Sequence, residues 1–372
     1  MVLCHQSRYT ANQMNHSYFD FLPLQNGALT KPGLPSFPWL ELSQVLLLEA
    51  LEKEKLGSVM DLSARGGAVA LALAANGAKV MVSDSSAAAL SCLAKTALEI
   101  GIQENADTVI AILNGERGNA RVMHTILESW HCCKAGGTVF LAGDKDKGFE
   151  RYLKQAKTIF GAGEIIARGK GFRVAKLEKT LLEIPEALEP LIFAVEARGQ
   201  TLQAVAHAGT FASGKLDAAS ALLLEHLPSG AGRMVLDIGA GYGVLSGFLA
   251  LEGAKISLLE DDALSVQSCT DTLKANGLTG TVLHSDVDSA LEKTAKFDLI
   301  VMNPPFHVGK EMRIDVALEF IAAAKRHATK NTEIFLVANH FLPYETPFAS
   351  LGKLETVVNA KGFKVLKVAM SG

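Results

Sequence analysis

Val235-Leu-Asp-Ile-Gly-Ala-Gly-Tyr-Gly243 is an apolar run that ends in an acid and turns through three alternating glycines. The helix-forming stretch Leu245–Leu251 follows it. A glycine turn between a strand and a helix lets a ligand approach the backbone closely. A dinucleotide fingerprint would place another glycine at position 244 after Gly239 and Gly241, and that position is Val244. The pattern is therefore GxGxG with an acid, Asp237, two residues before it.

Around this turn, short apolar strands are expected at Met234–Ile238, Lys255–Leu259, Thr281–His284, Leu299–Met302 and Glu333–Val337. Amphipathic helices are expected around Leu245–Leu251, Leu264–Asn276 and Asp315–Ala328. The alternation predicts an α/β fold, an open and mostly parallel sheet with helices on both faces. Leu354–Asn359 and Phe363–Val368, joined by Ala-Lys-Gly, predict a C-terminal antiparallel hairpin that closes the sheet.

The same text occurs earlier in the chain. At an offset of 176, Val59-Met-Asp-Leu-Ser-Ala-Arg-Gly-Gly67 matches Val235–Gly243, and Asn76-Gly-Ala-Lys-Val80 matches Glu252-Gly-Ala-Lys-Ile256. Asp84 then aligns with Glu260 and Gly101 with Gly277. Near the ends, Gly169-Lys-Gly-Phe-Arg-Val174 echoes Ala360-Lys-Gly-Phe-Lys-Val365 at an offset of 191. The chain reads as one domain duplicated, residues 1–190 and 191–372, with Ile184-Pro-Glu-Ala-Leu-Glu-Pro190 breaking the pattern between them. Its 372 residues suit two domains.

In the second copy the chemistry-bearing residues fall at strand C-termini, the edge where ligands bind in such sheets. Asp237 can fix an ammonium group or polarise the turn. Glu260 can grip both hydroxyls of a ribose, and Asp286 can accept from an adenine amine. A ligand with an amino-acid moiety, a ribose and an adenine but no phosphate is S-adenosylmethionine. A competing reading makes Asp237 a turn-former and Glu260 and Asp286 helix caps.

Asn303-Pro304-Pro305-Phe306 ends the run Phe297-Asp-Leu-Ile-Val-Met302. Two prolines stop the strand ladder and stiffen its end. The Asn303 amide oxygen and the Pro304 carbonyl can each accept one hydrogen of an exocyclic amine, while Phe306 stacks on the ring that carries it. The first copy has lost these features. Arg65 stands where Gly241 does, only 6 positions separate Gly101 from Asp107 against 21 from Gly277 to Asp298, and no Asn-Pro-Pro-Phe exists. It is expected to keep the fold without binding the cofactor or catalysing.

A degenerate half followed by a half carrying Asp237-x-Gly-x-Gly-x-Gly243 and Asn303-Pro-Pro-Phe-His307-Val-Gly309 resembles the bacterial ribosomal RNA guanine-N2 methyltransferases, over nearly the whole chain. Within that family the small-subunit (16S) type is the nearer match. The resemblance implies two tandem Rossmann-like class I methyltransferase domains and methylation of a guanine N2 amine in rRNA. It implies S-adenosylmethionine as cofactor and an assembling 30S subunit as the partner. His207-Ala-Gly-Thr-Phe-Ala-Ser-Gly-Lys-Leu-Asp217 resembles the family's segment that closes over the cofactor, so Phe211, Lys215 and Asp217 join the cofactor set. That set is Phe211, Lys215, Asp217, Asp237, Gly239, Gly241, Gly243, Glu260, Asp261, Asp286, Val287 and Asn303. Asn303, Pro304, Pro305 and Phe306 form the catalytic set, and Phe306, His307, Lys310 and Arg313 the substrate set, with no metal. His307 reads as a supporting histidine rather than a base, and Lys310 and Arg313 as phosphate contacts or solvated charges.

Composition narrows the classes. Hydrophobic content of 49% and charged content of 20% describe an ordinary globular chain. Five cysteines without a CxxC spacing argue against a disulfide framework or structural zinc and favour a reducing cytoplasm. No signal-like N-terminus or apolar run of about 18–20 residues is present, so a soluble cytoplasmic protein is expected; its oligomeric state is open in the sequence, with a monomer as the expectation. A net charge of −3 makes no global case for nucleic acid, but residues 145–179 hold ten Lys/Arg against four acids. That segment is either a solvated face with i,i+4 ion pairs or a phosphate-tracking patch by which the inactive half holds RNA. Rival functions are adenine-N6 or protein glutamine-N5 methylation, which use the same Asn-Pro-Pro-aromatic set. A nicotinamide oxidoreductase and a non-catalytic RNA-binding assembly factor are the others.

Overall fold

The computed structural model describes residues 17–305, 307–308, 311–312 and 314–370. An N-terminal ladder pairs β1 (Leu22–Pro23) with β2 (Leu29–Thr30), and α1 (Leu42–Leu51) follows. The first half then runs β3 (Ser58–Asp61), α2 (Ala68–Ala75), β4 (Lys79–Val82), α3 (Ala87–Leu93), β5 (Glu99–Ile100) and β6 (Ala106–Leu113). It ends with α4 (Asn119–Cys132), β7 (Cys133–Asp144), α5 (Phe149–Phe160), β8 (Gly161–Gly169) and β9 (Phe172–Lys179).

A hairpin of β10 (Leu191–Ala197) and β11 (Gln200–Ala206) opens the second half. There follow α6 (Ala218–His226), β12 (Met234–Ile238), α7 (Val244–Leu251), β13 (Lys255–Glu260), α8 (Ala263–Ala275), β14 (Gly280–His284) and β15 (Phe297–Met302). A short ladder of β16 (His307–Val308) and β17 (Glu311–Met312) precedes α9 (Asp315–His327), β18 (Ala328–Asn339), α10 (Glu345–Ala349), β19 (Gly352–Ala360) and β20 (Phe363–Met370).

The two seven-stranded sheets have the same order, β5-β4-β3-β6-β7-β9-β8 and β14-β13-β12-β15-β18-β20-β19. Each is parallel except for its last hairpin, as the sequence predicts. The central strands are apolar throughout because helices cover both faces. In the second half Leu222, Phe248 and Leu249 pack one face. Phe320, Ile321 and Ala324 pack the other. The β10–β11 hairpin belongs to the second core through Val195, Leu202 and Ala204.

The offset of 191 is borne out strand for strand, since Gly161–Gly169 and Phe172–Lys179 map onto Gly352–Ala360 and Phe363–Met370. Both hairpin tips are left-handed pairs, Lys170-Gly171 and Lys361-Gly362. The pairing of Gly101 with Gly277 is not structural. Helix α3 has 7 residues against 13 in α8, so β5 arrives early and Gly101 follows it, whereas Gly277 precedes β14. The equivalence at 176 ends just after Ser86 and Asp262.

Those two residues sit at the junction of the halves. Ser86 bridges Asp262 in antiparallel fashion; Ala87 N–H donates to the Asp261 carbonyl at 2.8 Å and Ala263 N–H to the Ser85 carbonyl at 2.9 Å. Because 86 and 262 are equivalent positions, the contact is isologous, and a local two-fold axis relates the halves. The C-terminal edges of the parallel strands in both sheets therefore face one another. No helix of the described residues is long and apolar enough to cross a membrane.

Candidate active site between the two halves

A cavity of about 880 Å³ lies at this junction. The second half lines it with Phe211, Asp217, Gly239, Gly241, Glu260 and Asp261, and with Asp286, Val287, Asn303, Pro304 and Pro305. The first half contributes Arg65, Arg117 and Arg121, among others. Asp237, Gly243 and Lys215 do not reach the described wall.

The turn after β12 needs its glycines. Gly239, Gly241 and Gly243 have φ of 77°, 62° and 80°, the left-handed region. A Cβ at Gly239 would stand 2.8 Å from the Phe320 ring, whereas one at Gly241 would meet nothing within 4 Å. Gly241 N–H donates to Glu260 Oε2 at 2.8 Å, and Asp261 N–H to Glu260 Oε1 at 3.0 Å. Burial pushes the Glu260 carboxyl up to about 7. Asp237 lies beneath the turn, 1% exposed, and accepts from the Ser246 hydroxyl at 2.8 Å and the Ser246 N–H at 3.3 Å. Its Oδ1 has no hydrogen-bond partner, and burial raises this carboxyl to about 6. Asp237 thus braces strand against helix.

Asn303 ends β15. Its amide nitrogen donates to Asp217 Oδ2 at 3.3 Å and to Ser220 Oγ at 3.1 Å. A carboxylate only accepts, so the nitrogen must face Asp217 and the amide oxygen is the end left for a ligand. Asp217 also caps α6 through the Ser220 N–H at 3.0 Å. Pro304 is buried and Pro305 exposed. Phe306, Lys310 and Arg313 lie outside the described residues, as does the His307 side chain.

Phe211 stands at the cavity wall, 63% exposed. Lys215 faces solvent, and its carbonyl accepts from the Tyr242 hydroxyl at 3.2 Å. Val287 is buried with a φ of 54°, uncommon for a β-branched residue and typical of functional turns. Asp288, next to it, is gripped by Arg326 through two bonds of 2.8 Å and by His327 at 3.1 Å, which hold its carboxyl well below the usual range.

Four features escaped the sequence reading. Asp286 accepts from the Tyr18 hydroxyl at 3.0 Å and from the Lys31 ammonium, both from the N-terminal segment. Arg117 and Arg121 of the first half pair with Asp262, the cap of α8. Asp261 accepts from Ala88 N–H at 2.9 Å. Ser220 could have been found, since it stands three residues after a capping Asp. Contacts spanning 255 positions leave no local signature.

The first half repeats the scaffold with altered chemistry. Asp84 accepts from Arg65 N–H and Ser86 N–H, both at 2.9 Å, as Glu260 does from Gly241 and Asp262. The Arg65 side chain lies buried in its own cavity wall, paired with Glu41. Asp61 pairs with Ile110 as Asp237 pairs with Val301, so two residues on Ile112 occupies the place of Asn303. In the basic segment Lys179 is buried on the Trp130 and Cys133 carbonyls, and Lys176 pairs with Glu54. Lys145, Arg151, Lys154, Lys157, Arg168 and Lys170 remain exposed.

Residues 201–367 match the family model described as the methyltransferase small domain. A ribosomal RNA small subunit methyltransferase C from Pseudomonas entomophila is 35% identical over 241 residues, covering 63% of this chain and 71% of that protein. The protein of the same name from Acinetobacter baumannii is 30% identical over 72% of this chain and 80% of its own length. A Thermus thermophilus structure (T. thermophilus 16S rRNA N2 G1207 methyltransferase, in complex with AdoMet and guanosine) superposes with a TM-score of 0.88 at 36% identity, over 96% of this chain and 99% of that one. The chain belongs to the ribosomal RNA small subunit methyltransferase C family.

Proposed function

We propose that the chain transfers a methyl group from S-adenosylmethionine to the exocyclic N2 amine of a guanine in 16S rRNA. The orientation of Asn303 carries this reading. With its nitrogen held by Asp217 and Ser220, its oxygen presents an acceptor to the cavity beside the Pro304 strand end. The cavity also fits the cofactor. Its carboxylates suit hydroxyls, an amine and an ammonium, while Arg65, Arg117 and Arg121 are engaged by Glu41 and Asp262 and so do not make a phosphate cradle.

Glu260 would hold the ribose hydroxyls, Asp286 the adenine amine, and the Gly239–Gly243 turn the amino-acid end. The cofactor supplies an electrophilic sulfonium methyl. Asn303 Oδ1 and the Pro304 carbonyl would each accept one hydrogen of the guanine amine, whose lone pair, otherwise delocalised into the ring, is thereby turned toward the methyl carbon. Positioning is the main contribution. The ammonium formed is strongly acidic and loses its proton to water, so the chain need supply no base. Residues 1–190 would form a non-catalytic half that supports the site and holds RNA, the exposed basic residues of 145–170 tracking phosphates. Residues 191–372 would be the catalytic half. The enzyme would act as a cytoplasmic monomer on an assembling 30S subunit.

The test offers tritiated S-adenosylmethionine with unmodified 30S and 50S subunits and digests the RNA to nucleosides. Label is expected in N2-methylguanosine from the small subunit. Label in N6-methyladenosine or in protein glutamine, or no label, overturns the reading.

A further inference from the structure

The N-terminal segment crosses from the first half into the second half's cofactor pocket. Tyr18 belongs to the second half's core, 8% exposed, and its hydroxyl donates to Asp286 Oδ1 at 3.0 Å. Lys31 is 0% exposed, and its ammonium pairs with Asp286 Oδ2 while lying 3.9 Å from the centre of the Tyr18 ring and 4.8 Å from that of Phe19. A lysine is seldom fully buried, and this one is matched by a carboxylate and two aromatic faces.

The mount for these residues is the first half's degenerate glycine turn. Leu29 N–H donates to the Gly66 carbonyl at 3.1 Å, and Asn26 Nδ2 to the Ala68 carbonyl at 2.9 Å. A Cβ at Gly66 would fall 1.6 Å from the Leu29 carbonyl oxygen. One at Gly33 would fall 2.6 Å from the Tyr18 hydroxyl, so this glycine leaves the room that Tyr18 uses. The turn that holds a ligand in the second half holds chain in the first.

We propose that Tyr18 and Lys31 are positioning residues that keep Asp286 an oriented acceptor for the adenine amine, and that the degenerate turn is retained to seat them. The proposal rests on the cofactor reading given above. Among the described residues the other charged or titratable groups around this cluster are Asp261, Glu319, Cys92 and Arg326, the last 5.9 Å from the Phe19 ring and already held by Asp288 and Glu319. None of them replaces the Lys31 cation. A buried carboxylate stripped of its cation takes up a proton. Its hydroxyl then serves a carbonyl as well as its remaining oxygen serves an amine.

The test is calorimetric titration of the full chain with S-adenosylhomocysteine and with S-inosylhomocysteine, in which a 6-oxo group replaces the 6-amine. The unaltered chain is expected to prefer the adenine ligand by roughly 10- to 100-fold, the worth of one hydrogen bond to a charged group. Lys31→Met is expected to bring the two affinities within about threefold of each other, and Tyr18→Phe to reduce the preference by about threefold. Both ligands are titrated against one sample, so a loss of folded protein lowers both stoichiometries and leaves the ratio alone. A Lys31→Met protein that keeps the full preference overturns the proposal. An unaltered chain that binds both equally also overturns it, while leaving methyl transfer intact; one that binds neither overturns the cofactor reading itself.

Discussion

Replacing Asn303 by Ala removes one acceptor and little else. The side chain is half-buried, and the Asp217 carboxylate that holds it keeps its bond to the Ser220 N–H, so the α6 cap survives. What is lost is a hydrogen bond from an amine that becomes cationic as the new bond forms. Such a bond is worth about 1.5–3 kcal/mol, or roughly 10- to 150-fold in rate. Misorientation of the amine adds to this, and a total loss of roughly 100-fold or more in kcat is expected. Single-turnover transfer from tritiated S-adenosylmethionine to unmodified 30S subunits measures the loss, and calorimetry measures cofactor binding, expected to stay within about threefold. Asp217→Ala provides a graded comparison. Ser220 Oγ still anchors Asn303 at 3.1 Å, so a loss of roughly tenfold is expected, with about 0.5–2 kcal/mol of stability from the missing cap. Equal losses of transfer and cofactor binding in Asn303→Ala would refute the reasoning.

Cofactor stoichiometry by calorimetry should be one per chain, because Arg65 and Ile112 stand where Gly241 and Asn303 do; two sites would restore the first half to catalysis. Cofactor affinity should rise by up to tenfold per pH unit toward about 7 and then level, as the Glu260 carboxyl, raised by burial to about 7, becomes the ionised acceptor. Glu260→Gln should bind weakly and flatten the upper part of that slope. The same shift acts on folding with the opposite sign: the folded chain holds this proton where the unfolded chain has released it. Stability from this group is therefore full below 4.5 and lost as pH rises through about 7, as urea melts across that window would show. Asp262→Asn should cost about 2–4 kcal/mol in urea denaturation of the full chain. Asn caps a helix nearly as well as Asp, so the loss reports Arg121, 10% exposed, and the more solvated Arg117. A loss below about 0.5 kcal/mol would show that these pairs do not hold the halves together.

The sheet was legible because its strands are short apolar runs and its turns require glycine: Met234–Ile238 matches residue for residue, and the hairpin tips at Lys170 and Lys361 repeat each other. Glu260, Asp286 and Asn303 were placed at the cavity by the pattern because each ends or follows a strand that it fixes, whereas Asp217 came from the family resemblance alone, since helix α6 was not predicted. The Gly101–Gly277 pairing misled because a helix six residues shorter keeps a glycine at the same offset by coincidence. Asp237 sits where the pattern puts it, yet its bonds to Ser246 make it a strut under the turn. Tyr18 and Lys31 were illegible for a different reason. A buried lysine is recognisable only by its partner, and here the partner lies in the other half.

The positions at which the halves diverge argue for what the first half does. Facing the cavity, Arg65 stands at the position of Gly241 and Ile112 at that of Asn303, while the fold is the same. The acid after the second strand keeps its bonding pattern, since Asp84 gathers the Arg65 and Ser86 amides as Glu260 gathers those of Gly241 and Asp262. That pattern shapes the loop which meets its own counterpart across the two-fold axis. From this contact the first half reaches three segments of the second half's pocket: Ala88 holds Asp261, Arg121 packs where a Cβ on Gly209 would stand 2.9 Å from its own, and Lys31 holds Asp286. Each lies on a different loop, and the first half adds these contacts to the bonds that the loops already make within the second half. Whatever side chains differ, the first half keeps the edge against which the second half's pocket is built.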